Sequence, residues 1–157
     1  MASPTATANL ASSNAELYHA DGAAWAEETA RLLRERRFEE IDFDALVEEV
    51  EGLGQSNHNE ADSRGIVLVA HILKWRYQPE RRSRSWIDTI AEQGAQMALL
   101  FERYPSVRRG ARLRWKETWR GGRKLALRQT GLPPSAIPVE PDMTIEDCLI
   151  VEFRLDD

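Results

Sequence analysis

The chain has 157 residues, of which 42% are hydrophobic and 30% charged, with a formal net charge of −5. This length suits one compact domain with its own core, and no apolar run approaches the roughly 20 residues that span a bilayer. The single cysteine, Cys148, excludes an internal disulfide and a thiolate metal cage. We therefore expect a cytoplasmic protein that makes no use of a membrane.

In chain order, residues 1–15 are rich in Ala, Ser, Thr and Asn and lack the basic start and apolar run of a signal peptide. They read as a disordered arm preceding a domain over 16–157. Asp21 is placed to cap a first helix to about Arg36, with Trp25, Thr29, Leu32 and Leu33 on one face and Glu27–Arg31 as an i,i+4 pair. Asp42 is placed to cap a second helix. There Phe43, Leu46, Val47, Val50 and Leu53 form the stripe of a core-packed helix, and Gly52 and Gly54 supply its stop.

Ser56 would then start a third helix to about Tyr77, ended by Pro79, whose preceding residue is driven out of helical geometry. Its centre, "IVLVAHIL" at 66–73, is apolar on almost every side and reads as the segment the other helices surround. Ser85 with Asp88 suggests the capping box of a fourth helix, which Pro105 ends. Ser106 would cap a fifth, running to about Thr130 with a kink at Gly121-Gly122 and a left-handed stop at Gly131. After the extended "LPPSAIPVEPD", Thr144 and Asp147 form a capping box for a short terminal helix. The predicted fold is all-α: five main helices and a short C-terminal one, packed around 66–73.

Three stretches carry a resemblance: "HILKWRYQPERRSRSW" (His71–Trp86), "FEEIDFDALVEEVEGLGQS" (Phe38–Ser56) and "TGLPPSAIP" (Thr130–Pro138). Over about residues 16–150 the chain resembles the bacterial domain of unknown function 29 family. The resemblance implies an all-helical domain and no particular activity. The chain departs from the pattern expected of such relatives in its Gly121-Gly122 pair and in the strongly cationic character of its last long helix.

Charge is segregated along the chain: residues 1–62 carry −10, 63–130 carry +11 and 131–157 carry −6. Within the basic segment, Lys74, Arg76, Arg81, Arg82 and Arg84 interleave with Trp75, Tyr77 and Trp86. Such a mixture can hold phosphates and stack bases. It is explained more economically as a helix end, a proline turn and a helix start whose arginines need nearby carboxylates, such as Glu48 or Glu49. Lys116, Arg120, Lys124 and Arg128 stand at successive i+4 positions, a like-charge stripe that asks for an anionic counterpart. Asp44, Glu48 and Glu51 offer one, within the chain or across subunits.

Candidates for chemistry are few. His58 and Asp62 lie one helical turn apart and His71 sits in the apolar segment, which makes only a fragment of a metal site. His71 is better explained as a core histidine with one hydrogen bond. There is no nucleophile motif, and the acids beside Cys148 would raise its pKa. No catalytic residue and no cofactor is expected. The expected role is a non-catalytic interaction module that pairs with itself or another protein through complementary charged faces, with Trp115 and Trp119 as anchors. The alternative is binding of nucleic acid or another polyanion through residues 74–128.

Overall fold

The computed structural model describes residues 13–155. Among them are only helices, turns and connecting segments: α1 (13–20), α2 (Gly22–Arg34), α3 (Phe43–Tyr77), α4 (Arg84–Arg103), α5 (Pro105–Leu113), α6 (Trp115–Thr130) and α7 (Ile145–Ile150). Short 3-10 turns occupy Phe38–Glu40, Pro79–Arg81 and Pro134–Ala136. The all-α architecture is that expected from the periodicity. Of the arm expected over 1–15, residues 1–12 lie outside the described residues and 13–15 belong to α1. The structure divides after Gly54 into two compact units, and α3 contributes residues to both.

In the N-terminal unit, Asp21 caps α2 as expected, its carboxylate accepting from the Ala23 and Ala24 amides at 3.1 Å each. Arg31 pairs with Glu28 and Glu35, not with the expected Glu27. α2 ends two residues before Arg36 in a left-handed turn: the Arg36 and Arg37 amides donate to the Leu33 and Leu32 carbonyls, and Arg36 takes φ 59°. Glycine usually occupies that position, and an L side chain there costs roughly 1–2 kcal/mol. The buried Asn14 of α1 ties the unit together. Its carbonyl accepts from Trp25 Nε1 (3.1 Å) and the Asp42 amide (3.0 Å), and its amide donates to Thr29 Oγ1 (3.2 Å).

α3 corrects the expected helix boundary. Gly52 and Gly54 do not stop a helix; one helix runs unbroken from Phe43 to Tyr77. Neither glycine takes a positive φ, so each simply lowers helix propensity without ending the hydrogen-bond ladder. The expected core stripe is also largely outward: Phe43, Val47, Val50 and Leu53 are 49, 53, 60 and 69% exposed, and Ala45 is the buried residue of that turn.

In the C-terminal unit, Leu68, Val69, Ala70, Ile72 and Leu73 have no exposed surface, as the all-round apolar pattern implied. Gln78 leaves helical geometry before Pro79. α4 starts at Arg84 behind Ser83, not at Ser85, and Asp88 pairs with Arg84 at 3.2 Å in place of closing a capping box. Pro105 opens α5 as its first residue, a position where its missing N–H costs nothing, so Ser106 is not the cap.

The helix expected from 106 to 130 breaks at Arg114, giving α5 and α6, and it does not break at Gly121-Gly122. Those glycines serve a close approach: a Cβ on Gly122 would lie 2.5 Å from Val69 Cγ1 and 3.0 Å from the Ile66 carbonyl oxygen. Gly131 takes the left-handed stop at φ 71°, and the Thr144–Asp147 capping box opens α7, both as expected.

Opposite responses to alanine follow. Gly122→Ala is expected to destabilise by roughly 1–3 kcal/mol through overpacking against Val69. Gly52→Ala and Gly54→Ala, where an added Cβ meets nothing within 4 Å, should each stabilise by about 0.5–1 kcal/mol. Thermal and denaturant unfolding of the three variants measures both signs.

Candidate functional site

The cationic residues singled out in the sequence all lie in the C-terminal unit, and their partners belong mostly to the segment between α6 and the end of α7. Lys116 Nζ and Arg120 Nη2 reach Glu140 at 3.2 and 3.1 Å. Arg112 and Arg108 reach Glu146 at 2.6 and 3.4 Å. Arg76 reaches Asp142 at 2.9 Å.

The same segment is stitched to α6 by backbone acceptors. Trp115 Nε1 donates to the Met143 carbonyl (2.8 Å), Trp119 Nε1 to that of Pro138 (3.3 Å), and Arg123 to those of Ile137 and Pro134. Both tryptophans are buried, at 8% and 0% exposure, so they are core side chains and cannot anchor a partner. A cavity of about 790 Å³ opens between this segment and the residues Arg112, Trp115 and Lys116. In its lining Arg112 faces Glu146, Lys116 faces Glu140, and Thr144 and Asp147 hold each other in the capping box of α7.

The rest of the basic run closes helix ends. Arg82 Nε donates to the Trp75 carbonyl at 3.1 Å while its guanidinium lies 4.8 Å from the Trp75 ring centroid. Lys74 is buried, with Nζ donating to Gln129 Oε1 at 2.9 Å and lying 4.8 Å from the Trp86 ring centroid. Burial holds its pKa below the usual lysine value. Arg81, Lys124 and Arg128 are exposed and form no ion pair among the described residues. Glu140, Asp142 and Glu146 of the same unit pair with Arg76, Arg112, Lys116 and Arg120, while Asp44, Glu48 and Glu51 belong to the N-terminal unit.

The weak metal candidates have other occupations. Arg114, at the α5–α6 break, grips Asp62 through two hydrogen bonds of 3.0 and 3.1 Å and lies 3.4 Å from His58 Nδ1. His71 Nδ1 sits 2.9 Å from the Val67 carbonyl. Burial depresses the His71 pKa more than that hydrogen bond raises it, and Lys74 adds repulsion. Among the described residues no group of three or more His, Cys, Asp or Glu could hold a metal ion. Burial, then the charges of Asp147 and Asp142, push the Cys148 thiol up to about 12. No helix among the described residues is long and apolar enough to cross a membrane.

In the N-terminal unit the counter-face acids stand beside a different feature. α2 and the first turns of α3 line a groove of about 340 Å³, walled by Trp25, Ala26, Thr29, Ala30 and Leu33 on one side and Leu46, Glu49, Val50 and Leu53 on the other. Glu49 accepts the Tyr18 hydroxyl at 2.9 Å, which raises the Tyr18 pKa. Successive helical residues are about 100° apart. Asp44, Glu48 and Glu51 therefore fall on the flank of α3 opposite the groove, bordering the apolar stripe of Phe43, Val47 and Val50.

Acid should loosen the C-terminal segment. Arg120 and then Lys116 hold Glu140 below the usual carboxylate range, and Thr144 does the same to Asp147. For Glu146, burial pushes upward but Arg112, the helix amide and Arg108 together bring the pKa below normal. A carboxylate depressed in the folded state stabilises fully above its unfolded pKa of about 4, and that contribution is lost as pH falls through the depressed value. The melting temperature should accordingly hold steady from neutrality to about pH 5 and decline below about pH 4. In a Glu140→Gln/Glu146→Gln variant the acid decline should be shallower, which thermal unfolding across this range measures.

One family model, described as domain of unknown function DUF29, matches residues 17–154. No curated protein and no solved structure matches the chain.

Proposed function

The chain belongs to the DUF29 family, a family defined by a domain of unknown function, and from that premise we propose that it is a non-catalytic interaction module. Its contact face is the apolar surface of α2 and the start of α3. The observation that carries this reading is the exposure of Phe43, Val47 and Val50 at 49, 53 and 60%, on the same unit as Leu33 and Phe38 at 38 and 47%. Contiguous apolar surface of this kind costs free energy in water and marks a contact site. Three helical turns supply it at spacings suited to a helical partner laid in the groove. Trp115 and Trp119 are internal, and Arg76, Arg84, Lys116 and Arg120 of the basic segment have carboxylates within their own unit.

Polyanion binding is the second reading. Lys124 and Arg128, exposed one turn apart on α6, favour it, and its signature would be affinity for RNA or DNA that falls steeply with salt.

An apolar fluorescent probe, anilinonaphthalene sulfonate, tests the contact face on the full chain diluted until it sediments as a monomer. The expected result is enhanced emission with the natural chain and loss of most of it in Val47→Lys/Val50→Lys. Leu113→Lys, at an isolated side chain 85% exposed, should retain the emission, and all three proteins should keep the same helical circular dichroism. Absence of enhancement in the natural chain, or equal enhancement in the double variant, overturns the reading.

A further inference from the structure

We propose that the partner on this face is a second copy of the same chain, docked with its helices antiparallel about a two-fold axis beside Ala30; the assignment rests on the contact function proposed above. Glu27 and Arg34 are exposed on α2 and form no ion pair among the described residues, because Arg31 takes Glu28 and Glu35 and Arg37 takes Glu35 and Glu40. They stand seven residues apart. Two turns of helix therefore bring them to nearly the same flank, Glu27 near the middle of α2 and Arg34 at its end. Ala26, Ala30 and Leu33 lie beside them on the groove side.

An antiparallel two-fold superimposes one flank of a helix on the same flank of its mate and reverses its direction. With the axis beside Ala30, Arg34 of one copy meets Glu27 of the other, and the symmetry repeats the pair at the opposite end. Ala26 then opposes Leu33, and Ala30 opposes Ala30, small side chains that let two helices approach closely. The same operation places α3 against α3, with Val47 opposite Val50 and Phe43 opposite the turn at residues 53 and 54. Asp44, Glu48 and Glu51 lie on the outer flank of α3, at the solvated rim of the interface and outside its apolar seam. The arrangement is a four-helix packing with an apolar seam and two equivalent ion pairs at its rim.

The parallel alternative, with α2 facing α3 of the mate, would leave Glu27 unanswered and would set Ala30 away from the axis. Neither the apolar face nor the charge pair is self-complementary in that case.

Sedimentation over a concentration series, together with cross-linking, tests this on the full chain. The natural protein should dimerise reversibly, and Val50→Lys should remain monomeric. Arg34→Glu and Glu27→Arg should each weaken dimerisation about tenfold, as expected when two rim attractions become repulsions. Their combination should return it to within roughly threefold of the natural value. Ala30→Cys should form a covalent dimer under mild oxidation, with the buried Cys148 left reduced.

A chain that binds the fluorescent probe through Val47 and Val50 yet stays monomeric at every concentration overturns the second-copy assignment while leaving the contact function standing. A dimer whose charge reversals do not compensate and whose Ala30→Cys form does not cross-link overturns the antiparallel arrangement. Failure of the probe experiment removes both.

Discussion

The C-terminal unit depends on the absence of side chains at two adjacent positions of α6. A methyl group on Gly122 would sit inside the van der Waals envelope of Val69, so only glycine lets α6 lie against the most apolar turn of α3. That approach seals Leu68, Val69, Ile72 and Leu73 from water. It also fixes where the tryptophans of α6 point: with Trp119 fully buried, its indole N–H has to find an acceptor, and the connection after α6 supplies one at Pro138. The route of residues 134–147 thus follows from the packing beneath it.

That route explains the charge segregation. A basic stretch of +11 followed by a short acidic stretch of −6 looks like a tail awaiting a partner, but its carboxylates come down on the cations of α3, α5 and α6. These pairs are mostly exposed and each contributes modestly to stability. Their greater effect is on specificity, because Glu140 and Glu146 each answer two cations and so position the segment in one register. The N-terminal unit is arranged differently. Its ion pairs are local, between residues of neighbouring turns, and its apolar surface is left facing water.

How much of this could be read from the sequence depends on the range of the interaction. Helices, the central segment 66–73, the Asp21 cap, the Gly131 stop and the Thr144–Asp147 box are settled by residues a few positions apart, and they were legible. The same local rules misread Gly52 and Gly54, because a glycine ends a helix only where the chain must turn, and neighbours cannot report that. Gly121 and Gly122 are the mirror case: propensity predicted a kink, whereas the reason for them lies on a helix some fifty residues away. The partners of the cations were long-range for the same cause. Glu140 and Asp142 sit in irregular chain and Glu146 in the first turn of a short helix, so no helical spacing links them to the cations they answer. The charge balance of the last segment was the available signal.

Asn14 carries a consequence of its own. One carboxamide accepts from the Trp25 indole and the Asp42 amide and donates to Thr29, so three stretches of chain share a single buried polar junction. If α1 peels away, two donors and one hydroxyl lose their partner together in a place with little water to replace it. Fraying from the amino terminus is therefore resisted until the whole junction goes. The first thirty described residues should open and close as one cooperative unit, and the integrity of the apolar face on α2 is governed by a buried asparagine that holds Trp25 and Thr29 of the groove wall.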